Sequence, residues 1–241
     1  MSTTAAKILA HLKTVESERA HRAGEAGLNA RVAALKAYQQ QRFSHTYADL
    51  LQSSRYGAAS RFFLDELYGP GDFTHRDAQF ARVVPALVRL FPSEVVDTVA
   101  TLAELHALSE ALDTRMAELL DSETISSLHY VRAWQATGEA SRRQQQIALT
   151  LDVAMRLDGF TRRVLVRNSL RLMRGPARAA GLGELQRFLE AGFDTFRAMH
   201  GAQEFIALVD SRERALASAL FSAHLDGTDE SSLRRALAVL P

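Results

Sequence analysis

One short stretch sets Asp65, Glu66, Asp72, His75, Arg76 and Asp77 around the turn Gly69-Pro70-Gly71. Carboxylates beside an imidazole can work as a general acid–base pair or hold a metal ion. The turn accounts for the same residue types without chemistry. Asp72 or Thr74 can cap the next helix, with Thr74-x-x-Asp77 resembling a capping box. Asp77 suits the dipole of that first turn, and Glu66 can pair with Arg76 or Arg82. Glu66, Asp72, His75, Arg76 and Asp77 therefore stand as a polar cluster at the turn, and no catalytic residue is assigned.

Arg163, Arg167, Arg171 and Arg174 recur at spacings of four, four and three, and Arg178 follows beyond Pro176. On a helix they share one face, which could receive phosphates from a nucleic acid, an anionic lipid or a phosphorylated ligand. The alternative is a solvated face whose arginines pair with Glu184, Glu190 or Asp152. Aromatic residues are not interleaved with the arginines and the chain's net charge is only +1. Both features argue against nucleic acid. Gly181-Leu182-Gly183 could expose amides to a phosphate, but without a preceding strand it reads as a joint between helices.

Metal chemistry has two sequence candidates. Glu18-x-x-His21 is a single copy of a motif that di-metal bundles use twice. His106, Glu110 and Asp113 share a helix face at spacings of four and three. That face lies beside the Leu102, Leu105 and Leu112 stripe, so a solvated flank is expected. Phe188, Phe193, Phe196, Phe205 and Phe221, with Met173, Met199 and Trp134, can line an apolar cavity or simply fill the core. The chain has no cysteine, no Gly-x-Ser-x-Gly elbow, no phosphate-binding P-loop and no His-Glu-x-x-His motif. Disulfides, thiolate nucleophiles and cysteine-held metals are thereby excluded. No cofactor and no metal are assigned.

The elements that must position these residues are helices. Apolar residues recur at spacings of three and four almost throughout the 241 residues, and only five prolines interrupt them. The fold class expected is all-α, a single multi-helix bundle or orthogonal helical domain. Residues 1–28 read as a charged helical arm and 29–241 as one domain. Helices are expected over 29–51, 56–68, a segment from Thr74 kinked at Pro85, 93–120, 122–134, 142–157, 160–173, 183–199, 201–221 and 229–240. Gly159 separates two of them and Gly175-Pro176 stops another. No run of eighteen apolar residues suggests a membrane span, and the first residues lack a signal-peptide core.

Phe62–Asp77, reading FFLDELYGPGDFTHRD, resembles a motif of an uncharacterised bacterial all-helical family, a domain of unknown function. Met173–Ala177 (MRGPA) and Ala180–Met199 (AGLGELQRFLEAGFDTFRAM) resemble the same family. The resemblance runs from about residue 40 to 220. It implies a helical fold and a bacterial origin and carries over no catalytic residue. The expected protein is a cytoplasmic, non-enzymatic interaction module that self-associates as a dimer, with Gly192 on an aromatic stripe as a seam. Two alternatives remain open: an enzyme or carrier holding an apolar or anionic small molecule between helices, or a peripheral binder of anionic lipid or nucleic acid through the arginines.

Overall fold

The computed structural model describes residues 3–66, 74–226 and 228–241. Thirteen helices and no strands are found among the described residues, as the apolar period requires. They are α1 (Thr3–Gly24), α2 (Leu28–Thr46), α3 (Ala48–Gln52), α4 (Gly57–Glu66), α5 (Thr74–Leu90), α6 (Ser93–Glu118) and α7 (Ser127–Ala136). Then follow α8 (Ala140–Thr161), α9 (Val164–Leu172), α10 (Arg174–Ala179), α11 (Gly183–Ala198), α12 (Gln203–Ser222) and α13 (Glu230–Ala238).

The 26-residue α6 is the axis of the fold, packed by α1, α2 and α8. Helix α8 also packs on α11 and α12. Contacts between long helices set the pairing of Arg143 with Met116 and of Gln146 with Ser109, so α6 and α8 run antiparallel. Residues 1–28, the charged arm of the sequence reading, contain α1. Its Ile8, Leu12 and Val15 are buried and its body lies along α6 and α5. Each such fully buried aliphatic side chain contributes roughly 1.5–3 kcal/mol.

Three apolar clusters hold the helices together. Leu35 and Val32 of α2 meet Met116 of α6, Trp134 of α7 and Leu220 of α12. Phe43, Tyr47 and Tyr56 meet Phe196 and Met199 near the end of α11 and Phe205 of α12. Ile8 and Leu12 of α1 meet Val84 of α5 and Val96 of α6.

Several helix ends fall away from the places expected. The helix expected over 29–51 breaks at Tyr47, whose backbone leaves helical geometry while its hydroxyl reaches Glu213 at 2.7 Å. Gly159 does not separate helices: α8 runs through it to Thr161, with Asp158 accepting from Ala202 N at 3.0 Å. Ser126, rather than Ser122 or Thr124, caps α7, accepting from His129 N at 3.2 Å. The chain does turn at Met173, but Gly175 and Pro176 then lie in the short α10. Gly181, at φ +71°, ends α10, with Leu182 N donating to Ala177 O and Gly181 N to Arg178 O. This pattern satisfies the last carbonyls and favours glycine, so the joint reading of Gly181-Leu182-Gly183 holds.

Candidate functional site: an inter-helix cavity with a charged end

The three clusters meet around a cavity of about 230 Å³, lined by α2, α6, α7, α8, α11 and α12 with one or two residues each from α1, α4 and α5. Helical spacing places its walls. Lys36, Gln39 and Arg42 follow one another at intervals of three on α2. On α6 the lining runs from Val99 and Leu102 through His106 and Ser109 to Glu110 and Asp113. Fourteen residues separate Val99 from Asp113, a rise of about 21 Å.

Polar and apolar residues divide along that length. The later part of α6, the start of α8 and the later part of α12 bring Glu110, Asp113, Arg143, Gln146 and Glu213 towards Lys36, Gln39 and Arg42. The opposite parts supply Val99, Leu102, Leu151, Phe205 and Ile206, joined by Phe80, Leu185 and Phe188. The cavity is thus an apolar chamber with a charged end.

Ion pairs organise that end. Arg22 and Lys36 both donate to Glu110, Lys36 at 2.5 Å. Burial works against ionising Glu110, yet Lys36 and Arg22 hold its pKa down to about 2. Asp113 lies one turn on and accepts from Gln39 Nε2 at 3.0 Å. Burial pushes its pKa up, against the pull of Lys36 and Arg143. Arg42 Nη1 donates to Glu213 at 2.5 Å, and the Tyr47 hydroxyl donates to the same oxygen. The Arg143 guanidinium sits 4.2 Å above the Trp134 ring and donates to Gln146, whose amide donates to Ser109 at 2.8 Å. Trp134 is 7% exposed and its indole N–H has no hydrogen-bond acceptor among the described residues. Unsatisfied buried donors are uncommon and costly.

A second polar group lies nearer the apolar end. Asp77 accepts from Arg19 at 2.6 Å and pairs with His106 Nε2 at 3.0 Å. Burial opposes its ionisation, but His106 and Arg19 lower its pKa.

The sequence candidates divide accordingly. Asp77 lines the cavity, whereas Asp72 and the side chains of Glu66, His75 and Arg76 lie outside the described residues. The face carrying His106, Glu110 and Asp113 is not a solvated flank: Glu110 is 5% and Asp113 7% exposed. It points inwards because Arg22, Lys36 and Gln39 arrive from α1 and α2 to satisfy it. No group of three ligands suited to a metal ion occurs among the described residues; His21 pairs with Glu118 at 2.9 Å. Of the aromatic set, Trp134, Phe188 and Phe205 line the cavity; Phe193, Phe196 and Met199 are buried, and Met173 is exposed. Arg163 pairs with Glu94, and Arg174 with Glu190 at 2.6 Å.

Sequence reasoning missed Lys36, Gln39, Arg42, Arg143 and Glu213. The available signal was phase. Gln39 and Arg42 fall within the stripe that begins Val32, Leu35 and Tyr38, where a solvated residue would interrupt the core.

Fold and site together define an all-helical protein built around an amphipathic internal chamber. Residues 18–227 match the family described as a domain of unknown function, DUF8198, and the chain belongs to that family. No curated protein and no solved structure matches the chain.

Proposed function

We propose that this protein is a non-enzymatic binding protein that holds one small amphipathic molecule in its inter-helix cavity. The observation that carries this reading is an apolar chamber of about 230 Å³ ending at a buried charged cluster and at the Trp134 N–H, which has no acceptor among the described residues. A dry apolar cavity of about 150 Å³ already takes up benzene. The larger chamber here suits an apolar body. An indole N–H only donates, so the head group must offer an acceptor, such as a carboxylate, carbonyl or hydroxyl oxygen. The neighbouring carboxylates are engaged by Arg22, Lys36, Gln39 and Arg42, an arrangement suited to fixing a ligand's orientation. The proposed setting is the bacterial cytoplasm, where a chain without disulfides is at home.

Self-association through Gly192 loses its support. A Cβ built there would lie 3.1 Å from Phe62 Cζ, so α4 of the same chain already occupies that face.

Trp134 is the only tryptophan in the chain, which makes its fluorescence a reporter of the charged end. Titration with decanoate or decanol is expected to shift its emission saturably. Ala154→Leu, which places extra volume in the cavity wall, should abolish the response while the chain stays folded. Absence of any saturable shift with both probes would overturn the reading.

A further inference from the structure

The surface formed by α9, α10 and the facing side of α11 carries a feature that the cavity does not use. Between Arg162 and Arg197 there are eight arginines and three acids, in a chain whose net charge is +1. Arg162, Arg163 and Arg174 are paired with Asp158, Glu94 and Glu190. Arg171, Arg178, Arg187 and Arg197 form no ion pair among the described residues. Arg167 shows the resulting field: burial first, then repulsion from Arg171 and Arg197, lowers its pKa despite the opposing pull of Asp194.

Apolar side chains stand out of this same surface. Leu172 is 78% exposed and Met173, beside it, 40%. An isolated exposed leucine is ordinary. Two adjacent apolar residues between Arg171 and Arg174, at the junction of two short helices, form an apolar tip inside a basic field. Amphipathic elements that lie in a membrane interface have this composition: arginines meet headgroup phosphates while aliphatic side chains enter the acyl boundary. Nucleic acid would call instead for exposed aromatics to stack on bases. The aromatics of α11 turn away from solvent, with Phe193 and Phe196 buried and Phe188 in the cavity wall.

We infer that α9 and α10 dock the protein on an anionic lipid surface, with Arg171 and Arg178 on phosphates and Leu172 and Met173 inserted at the acyl boundary. The docking surface stands independently of what the cavity holds. One link between them rests on the cavity reading: Leu189 of α11 is 39% exposed and also lines the cavity, so the wall of the apolar chamber reaches the molecular surface on α11.

Flotation of the full chain with vesicles tests the inference. Vesicles of equal parts phosphatidylcholine and phosphatidylglycerol should carry the protein upward, and vesicles of phosphatidylcholine alone should not. Binding should fall steeply with added salt. The double reversal Arg171→Glu with Arg178→Glu should weaken it at least tenfold. Leu172→Ser with Met173→Ser should weaken it without removing its salt dependence. All four positions are exposed, and the helical circular dichroism should be unchanged. Reversing the exposed Arg132 and Arg234, on other helices, should leave binding intact. Failure to float with the anionic vesicles, equal flotation with neutral ones, or binding of a single-stranded oligonucleotide in place of vesicles would overturn it. The decanoate titration of Trp134 in vesicle-free solution should be unaffected by the arginine reversals, so failure of the cavity reading registers separately.

Discussion

Glu110 and Asp113 are one turn apart on α6, yet burial and neighbours drive them in opposite directions. Glu110 has its pKa lowered on folding from 4.5 to about 2. Its contribution is therefore fully present above pH ~4.5 and is lost as the pH falls towards 2, amounting to about 3 kcal/mol by linkage. Glu110→Gln should remove that acid-sensitive step. It should also destabilise the protein by about 3–5 kcal/mol at neutral pH, because Arg22 and Lys36 lose their carboxylate; chemical denaturation across this pH range measures both effects. Asp113 has the opposite sign. Its raised pKa makes the folded state bind a proton more readily than the unfolded chain, so its ionisation at neutral pH opposes folding. Asp113→Asn keeps an acceptor for Gln39 and should raise the melting temperature at pH 7, with the gain vanishing in acid. An unchanged or lowered melting temperature at pH 7 would contradict this assignment. The sequence spacing put His106, Glu110 and Asp113 on one face. It could not tell which way that face points, because the decisive partners of Glu110 and Asp113 come from 74 to 88 residues earlier.

At the scale of elements, helix cores were legible and several ends were not. Pro85 and Pro92 fall as expected, one inside α5 and one just before α6, because the fixed ring geometry acts locally. Gly159 misled because its helix penalty of about 1 kcal/mol is small beside the tertiary contacts that continue α8. Those contacts include the Asp158 carboxylate capping the loop before α12 through Ala202 N. Gly192 shows the reverse case, where the absence of a side chain matters. Phe62 of α4 occupies the space a Cβ would need, so α11 approaches α4 closely at that point. Gly192→Val should cost about 1–3 kcal/mol through overpacking. Phe62→Leu in the same chain should recover part of that loss, a coupling that a double-mutant cycle of denaturant midpoints would detect. Simple additivity of the two changes would mean that the two positions do not press on one another.

At the scale of the whole molecule, the all-helical class and the apolar stripes followed from composition and period. The cavity did not, because it is a property of how stripes from distant helices fail to close completely. Its wall runs from Leu12 of α1 to Ala217 of α12. The placement of α1 has its own test. Ile8 is fully buried against α5 and α6, so Ile8→Ala should destabilise the whole protein by about 2–5 kcal/mol in a single cooperative transition. A mutant unfolding as stably as the parent would make α1 an appendage. The span from Leu12 to Ala217 also sets a timetable for the newborn chain. At about 5–20 residues per second, a ribosome needs roughly 10–40 s to travel between those two positions. Once Asp113 has emerged, it and Glu110 can meet their donors from α1 and α2, but the side of the chamber closed by α12 does not yet exist. The growing polypeptide must carry an open, greasy trough until α12 clears the exit tunnel, which makes that interval the period of greatest exposure to chaperones and to aggregation.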